Sequence, residues 1–540
     1  MRTGDTERRK FLKSAGVAGA VIPAVLAGKF RALNDVQNAT FRTAHPAGSY
    51  DVREFGAAGD GKTIDTPAIN RAIEAAVAAG GGTVYFRAGN YLCYSIHLKS
   101  QVALYLDSGA TIVAAETGDP AKSYDLAESN KPWEDYQDYG HNHWHNSLIW
   151  GEDVHDVAIG GPGLIWGKGL SRGSGAGPVA ENPGVGNKSI ALKNCRNVLL
   201  RDFSILHGGH FGILATGVDN LTIDNLKIDT NRDGMDIDCC RNVRVSNCSV
   251  NSPWDDAICL KSSYALGYAR ATEMVTITNC MVTGTYEEGT LLDGTWKKFA
   301  AGEKVWRTGR IKFGTESNGG FKNITVSNCV FDGCHGLAIE SVDGAVIEDV
   351  TCANITMRDV YDAPIFVRLG ARMRGPEGAA VGTIRRVIFG NITCTQAENS
   401  ARIGSIVAGI PGHAIEDVKI HDVIVVGTGG GTKEDAARQV PEDEKKYPEP
   451  NMFGVTPARG FFVRHVKGLE VDGVKIEHVN SDARPAFVLE DVDGAEFGRI
   501  KAATDAGVPT FSLRAVKNFS VWRSRPVGDV ELDSVERKEI

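Results

Sequence analysis

The sequence is poor in aromatic residues, with 8% Phe, Trp and Tyr, and its 42% hydrophobic content fits a helical bundle badly. It also lacks any excess of positive charge. The formal net charge of the 540 residues is −8, which argues against a nucleic-acid partner. With that balance a polyanionic partner is not steered in by overall charge and is held only by a local basic patch. No Cys/His spacing matches a structural zinc site. Beyond the N-terminus no stretch looks transmembrane. What the chain has in quantity is glycine, 63 residues, as many short strands and turns require.

The N-terminus reads as an export segment. Arg8-Arg9-Lys10-Phe11-Leu12-Lys13 precedes a small-residue apolar run, Ser14 to Ala27, too short to span a bilayer and ending in small residues suited to cleavage. RRKFLK resembles a twin-arginine export signal, which implies a periplasmic or extracellular protein with no stable membrane association after cleavage. Cleavage after Ala27 removes five basic and two acidic residues and takes the net charge from −8 to −11. Residues 28–49 read as a polar link, and 50–540 as one domain.

Similar strands begin at Asn197 (NVLLRDFSI), Asn220, Asn242, Met274, Asn323 and Ala345, with degenerate copies at Arg386, Asp417 and Gly468. The first steps are 23 and 22 residues; later steps of 32 and 49 imply loops inserted on a constant coil. A period in the low twenties with alternating β-branched residues predicts an all-β parallel β-helix, a solenoid that stays one domain as it grows. Asn at the turns suits left-handed corners and side-chain ladders. Asn-Cys recurs at Cys195, Cys248, Cys280 and Cys329, which reads as small stacked core residues and not a disulfide framework. Asp65 or Thr66, Pro67 and the apolar spacing of Ala68 to Ala79 predict a helix closing the open N-terminal end. Long inserts fall at 115–146, 166–188, 284–309, 369–383 and 427–459 and are expected to build a binding face. The segment 427–450 is strongly charged and expected to be exposed and mobile; the tail after Phe511 reads as a degenerate closing coil.

The stretch Asn231 to Lys261 carries Asp233, then the adjacent Asp255 and Asp256 one coil later. Neighbouring coils lie roughly 5 Å apart, so the fold would gather three carboxylates. Such a cluster cannot fully ionise cheaply; one pKa should rise and supply an acid, while the others activate water, as glycoside hydrolysis requires.

DVREFGAAGDGKTIDTPAINRAI, GGGTVYFRAGNY, NRDGMDID and DDAICLKS, in that order, resemble glycoside hydrolase family 28, the polygalacturonase and rhamnogalacturonase family. The resemblance covers roughly residues 50–360. It implies a right-handed parallel β-helix and inverting hydrolysis of a pectin-type glycoside without a metal or other cofactor. By that carry-over Asp255 is the general acid, while Asp233 and Asp256 hold and deprotonate the water. Asn231-Arg232-Asp233 stands where the family has Asn-Thr-Asp. The family's Gly-His-Gly is missing, and the Arg-Ile-Lys that holds the substrate carboxylate comes one coil early, as Arg310-Ile311-Lys312. Ala338 and Glu340 fall where Arg and Lys would stand.

Arg310 and Lys312 share a face and are expected to bind a substrate carboxylate. Asn231 and Arg232 are expected to contact the substrate, with Arg232 adding a cation beside the acids; Lys261 is expected to pair with the acids or the substrate, Glu340 either to contact a sugar hydroxyl or to pair with Lys312, and His210 to touch a neighbouring sugar. His141, His143 and His145 read as surface or cleft-edge residues, and Arg368, Arg372 and Arg374 as a solvated loop or an anionic-sugar subsite. The expected activity is exo-acting hydrolysis of an anionic pectic poly- or oligosaccharide. The alternatives are a β-helix lyase or epimerase, with a base and calcium, and a non-catalytic carbohydrate-binding β-helix.

Overall fold

The computed structural model describes residues 48–117, 123–173, 181–300, 302–398 and 400–540. The export segment 1–27 and nearly all of the link 28–49 lie outside the described residues. Among the described residues no helix is long and apolar enough to cross a membrane.

The repeats form a parallel β-helix in which strands of successive coils stack into three ladders. One runs Val198↔Leu221↔Val243↔Val275↔Ile324↔Val350. A second runs Ile205↔Ile228↔Val250↔Val282↔Phe331↔Met357. The third, which carries the site, runs Ile190↔Ile213↔Met235↔Ile258↔Ile311. Like side chains meet in register, so their inward faces merge into one continuous apolar core. The coil is kept constant by its corners. Asn197, Asn220 and Asn242 all sit at positive φ, and each amide donates to the corner before it: Asn220 to Asn197 at 2.8 Å and Asn242 to Asn220 at 2.8 Å. A short side chain that tolerates the left-handed region and hydrogen-bonds along the stack is what such a corner needs. All eleven cysteines are buried and unpaired.

The ends are closed differently. At the N-terminal end the helix Thr66–Ala78 buries Ala68, Ile69, Ala72, Ile73 and Ala76 against the first coil. Asp65 does not cap it through its side chain; its carboxylate accepts from the Ala58 and Gly59 amides at 2.7 and 3.0 Å. At the other end the tail differs from the expected closing coil. Val530–Glu539 runs antiparallel to Phe511–Trp522 and covers the last strand edge, which another parallel coil would leave open.

The insert at 427–459 also departs from expectation: its later part is a packed strap. Val440 and Phe453 join Phe366, Ile406 and Phe462 in a second apolar cluster separate from the main core. Arg368 donates to the Glu442 carbonyl at 2.7 Å, and Arg464 to the Val440 and Pro441 carbonyls at 2.8 and 2.9 Å. Both guanidinium groups lie over the Phe453 ring. The sequence of the strap is charged because its outer side is wet, while a few apolar residues and backbone carbonyls anchor the inner side.

Candidate active site

Asp233 opens the strand Asp233–Asp238, and Asp255 and Asp256 end the turn before Ile258–Ser262. Met235 pairs with Ile258, so Asp233 and Asp256 stand on neighbouring coils, and the Gly234 amide donates to the Asp256 carbonyl at 3.0 Å. The turn is fixed by the Ser252 hydroxyl, which donates to the Asp255 carbonyl at 2.9 Å. As a result the three carboxylates each bring an oxygen within 4.8 Å of the others. Hydrogen bonds of about 2.7 Å let one water bridge oxygens at that separation.

Their surroundings differ. Asp233 is 4% exposed, and burial together with the charges of Asp255 and Asp236 pushes its carboxyl well above the usual range. Burial also raises Asp255, against the pull of Arg232, whose Nη2 donates to it at 2.8 Å. For Asp256 burial acts the same way, but Lys312 and Arg310 outweigh it and hold the carboxyl below the usual range. Arg310 Nε donates to Asp256 at 2.9 Å, and Lys312 Nζ lies 3.5 Å from it.

The structure corrects several expectations around this core. Arg310 and Lys312 do share a face, with Ile311 in the core, but both are buried and already hold a carboxylate. That carboxylate belongs to Glu449 of the strap, whose Oε1 lies 2.6 Å from Arg310 Nη2 and 3.2 Å from Lys312 Nζ. Burial raises the charged form of Glu449 in energy, yet the two cations bring its pKa down to about 2. Glu340 is fully buried beneath Lys312, outside the cavity lining, so it is not a sugar contact. At 3.7 Å it is spaced like an ion-pair partner of Lys312, but burial wins, because Lys312 also serves Asp256 and Glu449, and the Glu340 pKa rises to about 8. Asn231 is likewise buried behind the acids and does not line the cavity. Lys261 pairs with acids other than the expected three: Glu316 at 3.0 Å and Asp236 at 3.7 Å. His210 does line the cavity, stacked on Phe211, and burial keeps it neutral.

Sequence reasoning missed a second charged group. Glu316 is fully buried and receives Lys261, His141 at 3.1 Å and Arg374 at 2.8 Å. His141 is not a surface residue: burial and Lys261 oppose its charge, but Glu316 and Asp236 outweigh them and lift its pKa to about 9. His143 is buried too. Of the arginine cluster, Arg368 anchors the strap and Arg372 binds Asp343, while Arg374 reaches the cavity between Asp138 and Glu316. Alternation with the core residues Met235 and Ile237 puts Asp236 on the site face of NRDGMDID, but nothing in the local pattern marks Glu316 or Glu449, and Glu449 meets Arg310 and Lys312 from 139 and 137 residues away.

Four inserts wall a cavity of about 720 Å³ over the acids: Asp138 and His141, then Trp306 and Thr308, Arg374, and Tyr447, Glu449 and Asn451. That volume is ordinary for a small-molecule site. A second hollow of about 550 Å³ lies elsewhere on the coil surface, and its charges pair internally, Arg386 with Asp349 and Lys419 with Glu470. Acid groups able to close on a cation are Asp233–Asp255–Asp256, His141–Asp233–Asp236, Asp138–His141–Glu316 and His335–Asp362–Glu449. Basic side chains are threaded through each of these, from Arg232, Lys261, Arg310, Lys312 and Arg374, so positive charge is already supplied.

Residues 49–149 match the family described as rhamnogalacturonase A/epimerase, pectate lyase-like, and residues 179–295 match the right-handed β-helix region. Mannuronan C5-epimerase AlgE3 of Azotobacter vinelandii is 40% identical over 113 residues, 21% of this chain and 6% of its own length. A probable polygalacturonase of Vitis vinifera is 24% identical over 338 residues, 58% of this chain and 61% of its own. The chain therefore spans less than two thirds of either relative. The family 28 exopolygalacturonase of Yersinia enterocolitica superposes with a TM-score of 0.60 at 19% identity, covering 85% of this chain and 78% of that one. The fold is a pectate-lyase-like right-handed parallel β-helix.

Proposed function

We propose that the chain is an inverting glycoside hydrolase acting from the end of a pectic poly- or oligosaccharide. The observation that carries this is the trio Asp233, Asp255 and Asp256, gathered within 4.8 Å under a walled cavity with their protonation states driven apart. Two carboxyls in different protonation states are what an acid–base pair needs. One proton is retained between Asp233 and Asp255, where like charges and burial disfavour two anions. Asp255, the more exposed of the two, presents the proton to the glycosidic oxygen once the sugar displaces Arg232. Asp256, kept ionised by Arg310 and Lys312, takes a proton from the water lodged against Asp233. That water attacks the anomeric carbon from the face opposite the departing oxygen, and the configuration inverts; inversion is carried over from the family 28 resemblance, because oxygens within 4.8 Å lie closer than the roughly 6.5–9.5 Å usual for inverting pairs. The inserts close the groove to a pocket, which favours exo-action. In this reading the enzyme works after export through its RRKFLK segment.

A lyase or epimerase is the second reading, favoured by the epimerase relative. Product analysis on homogalacturonan, rhamnogalacturonan and their oligomers tests both. Native protein should release reducing ends of inverted configuration, and Asp255→Asn should lower that rate about a hundred- to ten-thousand-fold. An unsaturated, ultraviolet-absorbing product, or activity abolished by a chelator, would replace the hydrolase with the lyase reading.

A further inference from the structure

Glu449 is built into the cavity wall. Its Oε1 bridges Arg310 and Lys312, the two cations expected to grip a substrate carboxylate. It does not hang from a loose loop. The turn Pro450–Phe453 follows it directly, and Phe453 is fully buried in the apolar cluster under the strap. Arg310 and Lys312 lie behind the lining, and the basic side chains of the lining itself are matched too: Arg232 with Asp255 at 2.8 Å, Lys261 with Glu316 at 3.0 Å, and Arg374 with Asp138 at 2.8 Å. Meanwhile the Glu449 side chain keeps 25% of its surface exposed, and Trp306, 60% exposed, lines the same cavity.

We propose that Glu449 determines specificity: it permanently fills the carboxylate seat formed by Arg310 and Lys312, so the sugar bound over that seat is a neutral one. A uronate placed there would bring a second anion against Glu449 and Asp256 in a partly dry site, and like charges so juxtaposed repel. A neutral hexose or deoxyhexose carries no such penalty. Its hydroxyls can donate to Glu449, and its apolar face can lie on the indole of Trp306. Charged residues of the same polysaccharide are then accommodated on the side of the scissile bond away from Glu449. This rests on the cavity being the sugar site of the proposed hydrolase, and it names the class of sugar taken.

Equilibrium binding tests it without requiring turnover. D-Galacturonate is compared with D-galactose and L-rhamnose by ligand-observed NMR titration of the native protein and of Glu449→Gln. The native protein should prefer at least one neutral sugar to galacturonate by about tenfold or more, and Glu449→Gln should shrink or reverse that preference. Galacturonate bound by the native protein as tightly as the neutral sugars overturns the proposal. So does an unchanged preference in a folded Glu449→Gln, or no binding of any of the three. The native comparison stands even if the variant unfolds. A native protein that shows the preference but cleaves nothing refutes the hydrolase reading and supports this one.

Discussion

Asp233 and Asp256 stand on neighbouring coils, yet their surroundings pull them to opposite protonation states. Asp233 is raised and Asp256 lowered, so the rate should be bell-shaped in pH. Activity falls on the acid side only when Asp256 gains a proton, below the usual carboxylate range. It falls on the alkaline side when the Asp233–Asp255 pair loses its proton, above that range. A pH–rate profile with both limbs near pH 4 would contradict this assignment. Glu340 gives a stability prediction of definite sign. Its pKa is about 8 in the folded protein and near 4.5 unfolded, so the native state binds the extra proton. Its contribution is fully present below pH 4.5 and is lost as pH rises toward about 8. Glu340→Gln, which cannot ionise, should therefore gain stability relative to the native protein across that window, as read by denaturant titration at several pH values.

At the scale of elements, the coils were readable and the strap was not. Positive-φ corners, the buried cysteines that follow Asn and the capping helix all follow from patterns that recur from coil to coil or lie within one helix. Those patterns also placed Asp233, Asp255 and Asp256 together, because coil spacing turns sequence distance into strand spacing. The strap has no period. Its attachment depends on Arg368, Arg464 and Phe453 meeting across the molecule, and the charge of residues 427–450 hid it. The same blindness covers Glu449, and with it the occupied state of Arg310 and Lys312. Phe453→Ala removes the ring on which both arginines rest and should cost about 3 kcal/mol where the strap docks. Thermal unfolding should show a lowered or broadened transition. Catalysis should fall as Glu449 and Tyr447 lose their places, while the coil signal in far-ultraviolet circular dichroism stays close to native.

For the molecule as a whole, a β-helix offers a long open groove, and four inserts, three from one edge of the site-bearing sheet and 369–383 from the other, convert it to a pocket. A chain-end substrate fits a pocket; the middle of a polymer does not. Reducing ends should therefore accumulate with little loss of polymer viscosity. A sharp early fall in viscosity would show internal cutting and an open groove. The strap also sets when the site is finished. The acids are complete at residue 256, but Glu449 lies 193 residues further along the chain. At about 5–20 residues per second of synthesis, that is a delay of about 10–40 s. Over the last 137 of those residues, from Lys312 to Glu449, the earlier coils can stack while Arg310 and Lys312 wait without the carboxylate that will seat on them. The nascent chain passes through a form whose anion-binding seat is open, and the ribosome closes it only by adding the strap.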